Sequence, residues 1–162
     1  MNEGLDAAVE SGILDRARSI FVLTVEPLVV APPTSLEDLL LKLHNEERQK
    51  WEVKPLVFHP GLVQAARFHA NDMAKKGYFS HTSKDGTPAS RRVKRFYPWR
   101  TFGENIAWNH LSGEAAVRRV MAQWMGSAGH KKNILNPRFK EVGFGVASGG
   151  RRTLFACDLG SR

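Results

Sequence analysis

Two histidines in this chain stand where side chains could do chemistry. His81 falls in Phe79-Ser80-His81-Thr82 and His130 in Ser127-Ala128-Gly129-His130, each just past a helix end or turn and among small polar residues. A third segment, Gly103-Glu104-Asn105-Ile106-Ala107, sets a carboxylate between a glycine and an apolar pair. Such a carboxylate is either buried with partners or exposed at a cleft. As a hydrolytic set, His81 or His130 would be the general base, Glu104 would orient it, and Ser127, three residues before His130, would be the nucleophile. No Gly-x-Ser-x-Gly turn surrounds Ser127, and capping a helix is the simpler role for its hydroxyl. No residue is therefore assigned as catalytic.

The other histidines read more plainly. His44 ends an apolar stripe, His59 precedes Pro60 and His110 lies in a turn, so all three are read as surface or capping residues. His69 shares a helix face with apolar residues and is read as a core histidine with its polar atoms satisfied. The only cysteine, Cys157, excludes an internal disulfide and a thiolate zinc cluster. It lies in an apolar strand beside Phe155, where a thiol is buried and inert.

The elements that carry these residues follow from periodicity. Ser35 is expected to cap a helix ending near Lys50, with Leu36, Leu39, Leu40 and Leu43 at helical spacing. A second helix is expected over 61–76, closed by Gly77. Residues 82–100 read as a loop, because Pro88 and Pro98 break patterns and Lys84-Asp85-Gly86 is turn chemistry. A third helix runs from Ser112 to about Met125, and a short helical turn covers His130 to Leu135 before Asn136-Pro137. Val142, Phe144 and Val146 alternate with glycines, and Ser148-Gly149-Gly150-Arg151 turns that strand into a partner over 153–158. Gly143 and Gly145 leave one sheet face bare, for a helix or a ligand to approach. Helices early and strands late predict an α+β fold with helices on an antiparallel sheet.

Charge narrows the partners. The chain has 24 Lys and Arg against 16 Asp and Glu, a formal +8. Residues 1–34 hold Glu3, Asp6, Glu10, Asp15 and Glu26 against Arg16 and Arg18, a net −3, which leaves +11 on residues 35–162. A body so basic attracts anionic surfaces. Nucleic acid is not expected, since no base-stacking motif accompanies the charge. Arg91, Arg92, Lys94, Arg95 and Arg100 alternate with Phe96, Tyr97 and Trp99. Arg91, Arg92, Arg95 and Trp99 are singled out as a specificity loop, the alternative being a solvated basic loop over a small core. Residues 1–34 read as an N-terminal extension or degraded export signal followed by a Pro-rich linker, and 35–162 as the folded domain. No run of eighteen apolar residues exists, so no membrane-spanning helix is expected.

In order along the chain come His44-Asn45-Glu46-Glu47-Arg48, Pro55-Leu56, the helix of Ala65, Ala66 and His69, Tyr78-Phe79-Ser80-His81 followed by Asp85-Gly86, and Gly103-Glu104-Asn105-Ile106-Ala107. Trp124, Ser127, Gly129-His130, Asn133-Ile134-Leu135 and Gly143-Phe144-Gly145-Val146 complete the series. This series resembles the CAP superfamily, also called SCP-like extracellular proteins, in its bacterial branch. The resemblance covers about Leu36 to Leu159. It implies a three-layer α-β-α sandwich with a small antiparallel sheet and a central polar cleft, and an exported protein. It also implies a cleft of His81, Glu104, Asn105, Ser127 and His130, in which His81, His130 and Glu104 are the metal ligands. The second acid of many relatives is replaced here by Ser127. Two imidazoles and one carboxylate are borderline donors that suit Zn2+ or another divalent cation. With one acid missing, the ion would be weakly held and released on acidification. The expected function is a non-catalytic module that binds a ligand or partner, a lipid, a peptide or an anionic surface. The alternatives are a metal- or His-dependent hydrolase and a basic protein for anionic surfaces or nucleic acid.

Overall fold

The structure is a computed structural model that describes residues 29–162. The expectations for residues 1–28, the N-terminal extension or degraded export signal, lie outside the described residues. Helix α1 spans Ser35–Lys50. Its cap is Thr34 rather than Ser35. Thr34 is extended and Glu37 follows three residues later, so the Thr34 hydroxyl accepts from Glu37 N (3.3 Å) while the Glu37 carboxylate accepts from Thr34 N (2.9 Å). Arg67 straps the preceding linker down, donating to Ala31 O (2.7 Å), Pro32 O (2.8 Å) and both Glu37 oxygens.

The buried stripe of α1 is Glu37, Leu40, His44 and Arg48. His44 is thus a core residue, not a surface one, because it follows Leu40 by four and continues the same face. Its Nδ1–H donates to Leu40 O (2.8 Å), the Cys157 thiol lies 3.8 Å from Nε2, and its ring packs against Phe144 and Trp124. Burial lowers its pKa to about 4, against a smaller raising by the Leu40 carbonyl. Cys157 is buried, as expected, and burial pushes its thiol well up. Arg48, also buried, donates to four carbonyls, those of Lys54, Ile134, Asn136 and Phe139, and so fixes the loop after the last helix.

A short strand, β1 (Val57–Phe58), precedes helix α2 (Pro60–Lys76). His59 caps α2, its Nδ1 accepting from Gly61 N at 3.0 Å, and Gly77 closes it at φ 68. Within the expected loop 82–100 the chain makes a six-residue helix, α3 (Ala89–Lys94). Pro88 and Pro98 flank this helix instead of interrupting it, so they set its limits without forbidding it. Strand β2 (Thr101–Asn109) follows, then α4 (Gly113–Met125), α5 (Ala128–Ile134) and the expected hairpin of β3 (Glu141–Gly149) and β4 (Arg152–Ser161).

The sheet order is β1-β3-β4-β2. The three long strands are antiparallel, and β1 adds a parallel pair of residues to β3. Alternation along β4 sends Phe155, Cys157 and Leu159 into a core with α1 and α4, and Leu154 and Ala156 into a core with α2. That is the expected α-β-α layering. A methyl group on Gly143 would sit 2.0 Å from the Leu62 carbonyl carbon, and one on Gly145 2.2 Å from Ala66 O. The bare sheet face therefore receives helix α2. Strand β2 is at the sheet's edge, and its outward carbonyls at Glu104, Ile106 and Trp108 accept from Asn133, Trp124 and Gln123.

Candidate functional site

Glu104 and Asn105 are neighbours on β2, so they point to opposite faces of the sheet. Because β2 is the edge strand, groups carried by either layer can meet around it. Asn105 faces α5. Its side chain is buried, donates to His130 O (3.0 Å) and accepts from Asn133 (2.9 Å). Asn105 is therefore a tether for the helix that carries His130 and not a lining residue.

Glu104 faces the α2 layer, where its carboxylate is buried and fully engaged. His81 Nδ1–H donates to one oxygen at 2.9 Å and the Arg92 guanidinium donates to the other. Arg92 is itself buried and donates further to His81 O (2.8 Å) and Ser83 Oγ (3.2 Å). Burial alone would raise the Glu104 carboxyl. The His81 bond, the adjoining Asp158 carboxyl and the charges of Arg92 and His69 outweigh it and hold the group down to about 2. Asp158 stands opposite Glu104 in the β2–β4 register, fully buried, with no hydrogen bond on either oxygen. Burial first, and then the Glu104 charge, pushes Asp158 well up, so it is the protonated member of the pair. His69, also buried, donates Nε2–H to Ser80 O at 2.8 Å, while its Nδ1 has no partner. Burial lowers its pKa.

The Glu104 bond fixes the His81 tautomer and turns Nε2 away from the carboxylate. The His81 side chain is 55% exposed. On the other side of β2, His130 Nδ1 is hydrogen-bonded to Ser127 Oγ at 2.8 Å. Ser127 occupies the N-cap position of α5, but its hydroxyl makes this bond instead of capping. Burial, and then the charge on His81, lowers the His130 pKa. The two rings are thus within electrostatic reach of one another. A cleft of about 610 Å³ opens beside His130, walled by Phe79, Trp108, Leu111, Arg119, Ser127 and His130 among others. His81, Glu104 and Asn105 are not among its lining residues.

Residues 41–159 match the CAP family, described as the cysteine-rich secretory protein family. The chain belongs to the CAP family. The uncharacterized protein YkwD of Bacillus subtilis is 38% identical to this CAP domain over 118 residues, which are 72% of this chain and 44% of YkwD. The chain thus spans less than half of that relative's length. An outer surface protein of Borrelia burgdorferi shares the fold with a TM-score of 0.69 at 20% identity, covering 77% of this chain and 91% of that one. An extracellular protein containing an SCP domain, from Bacillus anthracis, has a TM-score of 0.67 at 25% identity, covering 82% of this chain and 45% of that one.

The proposed ligands of a divalent ion can be tested against this CAP domain's geometry. Both Glu104 oxygens already hold partners, so an ion would have to displace His81 or Arg92 to reach them. Among the described residues, no group of three or more His, Cys, Asp and Glu side chains is placed to hold a metal. His81, His130 and Glu104 therefore do not form a three-donor site as they stand, and the donors left are the two Nε2 atoms. The specificity loop is divided as well. Arg91 and Arg95 are exposed, Arg92 is turned inward onto Glu104, and Trp99 is partly buried with Nε1 donating to Ser90 O at 3.2 Å. The sequence placed Arg92 only in the specificity loop and not on Glu104, and it did not mark Asp158 as a site residue. Asp158 left one usable trace, as the single acid inside the apolar run Leu154-Phe155-Ala156-Cys157-Asp158-Leu159.

Proposed function

We propose that this CAP domain is a binding module that does no chemistry of its own. Its cleft takes a ligand, and His81 and His130 hold a divalent cation weakly through their Nε2 atoms. The observation that carries the reading is the engagement of Glu104 by both Arg92 and His81. A carboxylate locked in this way positions an imidazole but is not available to orient the Ser127–His130 pair. Two neutral imidazoles suit Zn2+ and similar ions, and with no third protein donor the ion exchanges readily. The B. anthracis relative is described as extracellular, which supports an export role for this domain.

Titration calorimetry with zinc chloride on the full chain tests this. The wild type takes up zinc with low affinity, and His81→Ala and His130→Ala each abolish the uptake while keeping the far-ultraviolet spectrum of the wild type. Equal uptake by all three proteins overturns the cation site. One observation favours a second reading, hydrolysis: the 2.8 Å Ser127–His130 hydrogen bond, with His130 kept neutral by burial. Turnover of peptide or ester substrates that is lost in Ser127→Ala would establish it in place of the binding reading.

A further inference from the structure

A second face of the molecule, remote in composition from the cleft, has the make-up of a lipid-headgroup surface. Arg91, Lys94 and Arg95 are spaced three and four apart along and just beyond α3, so they share its outer face, while Arg92 turns inward. Arg100 adds a fourth exposed cation. Among the described residues none of these four is in an ion pair. The segment from Gly86 to Arg100 contains no acid, and Asp85, which feels the Arg95 charge, makes no salt bridge with it.

Aromatic rings are set between the cations. Lys94 Nζ lies 4.3 Å from the centroid of the Trp99 ring, which stacks on Phe102 at 5.7 Å. Phe96 lies 6.3 Å from Phe68, which is 47% exposed. Beneath them Leu62, Ala65, Val93 and Tyr97 form a small buried core. None of Arg91, Lys94, Arg95, Arg100 or Trp99 lines any of the cavities described. Several cations without an ion pair among the described residues, outside the cavities described, match an array of anions better than one bound anion. Half-buried Trp and Phe rings among the cations match a membrane interface, with its apolar layer just below the headgroups, better than a dissolved polyanion.

We propose that the face formed by Arg91, Lys94, Arg95, Arg100, Trp99, Phe96 and Phe68 docks this domain on an anionic lipid bilayer, independently of the cleft. Each cation close to such a surface strengthens partitioning about fivefold, and salt screens the effect. The test is co-sedimentation of the full chain with phosphatidylcholine vesicles, with and without phosphatidylglycerol, at low and at high salt. The wild type is expected to bind only the vesicles containing phosphatidylglycerol, and to be released by salt. Reversing Arg91, Lys94 and Arg95 to Glu, with Arg92 kept, weakens partitioning at least about 100-fold at an unchanged melting temperature. Arg91→Gln/Arg95→Gln gives a milder loss of the same kind should the triple variant fail to fold. Lipids brominated near the headgroup quench the wild-type fluorescence, and Trp99→Phe removes most of that quenching. Binding by the charge-reversed protein as strong as by the wild type overturns the proposal, as do equal binding to neutral vesicles and quenching that survives Trp99→Phe. Binding to soluble polyphosphate as tight as to vesicles of equal phosphate content overturns it in favour of a dissolved polyanion.

Discussion

Replacing Arg92 by Met tests the frame of the site directly. Arg92 and Glu104 are each almost wholly buried, with side-chain exposures of 1% and 2%. Removing the guanidinium leaves a carboxylate inside the protein without its cation, and also orphans the His81 carbonyl and the Ser83 hydroxyl. Breaking a buried pair from one side costs about 3–5 kcal/mol. Titration supplies a second measure. In the fold Glu104 sits at about 2 against an ordinary 4.5, and at 1.36 kcal/mol per unit that is about 3 kcal/mol of stability at neutral pH. Because the folded value is depressed, this stability is present above pH 4.5 and is lost as pH falls toward 2. Asp158, raised in the fold, runs in the opposite sense, so the quantity to follow is the difference between variant and wild type. Urea unfolding at pH 7 and at pH 3.5 gives it. Arg92→Met is expected to be less stable by about 3–5 kcal/mol at pH 7, and the deficit shrinks at pH 3.5, where the unpaired carboxyl takes up a proton. Adding Glu104→Gln to Arg92→Met recovers at least about 1 kcal/mol over additivity. A deficit below about 1 kcal/mol, or one that is the same at both pH values, refutes the account of Glu104 as a structural anchor.

Three further substitutions test the packing and the buried histidine. Gly143→Ala places a methyl group 2.0 Å from one α2 backbone atom and 2.1 Å from the next, so it destabilises by at least about 3 kcal/mol. Gly129→Ala, with nothing within 4 Å, costs nothing measurable in the same denaturation assay. His44, held down to about 4 from 6.5, contributes stability that is full above pH 6.5 and lost as pH falls through 4. This amounts to about 3 kcal/mol, and His44→Gln removes that part of the slope between pH 7 and pH 4 in urea midpoints.

The helices with long apolar stripes and the β3–β4 hairpin were legible because burial on one face imposes a period that a single sequence displays. Strand β2 was not assigned as a strand. Its residues alternate between two buried environments, one holding Glu104 and the other Asn105, so polar side chains occupy both faces and no period-two pattern emerges. The segment could be seen as chemically unusual while its conformation stayed hidden. Arg92 had the opposite fate. Inside a run of Arg91, Arg92, Lys94 and Arg95 nothing local distinguishes the one cation that turns inward. Its partner lies twelve residues away, and only tertiary structure makes them neighbours. His44 was misread because histidine seldom fills a core. Here a carbonyl one helical turn back accepts from its Nδ1–H, and a thiol on the facing sheet lies against its Nε2, the ring's acceptor.

The edge of β2 has a consequence for how the molecule behaves in a crowd. An uncovered row of carbonyls invites a stranger's strand to add itself and start a fibre. In this chain Asn133, Trp124 and Gln123 already satisfy that row at Glu104, Ile106 and Trp108, and the far margin ends in a strand only two residues long. The β2 border is thus a poor template for added growth, because the side chains that hold its helices in place also occupy its carbonyls.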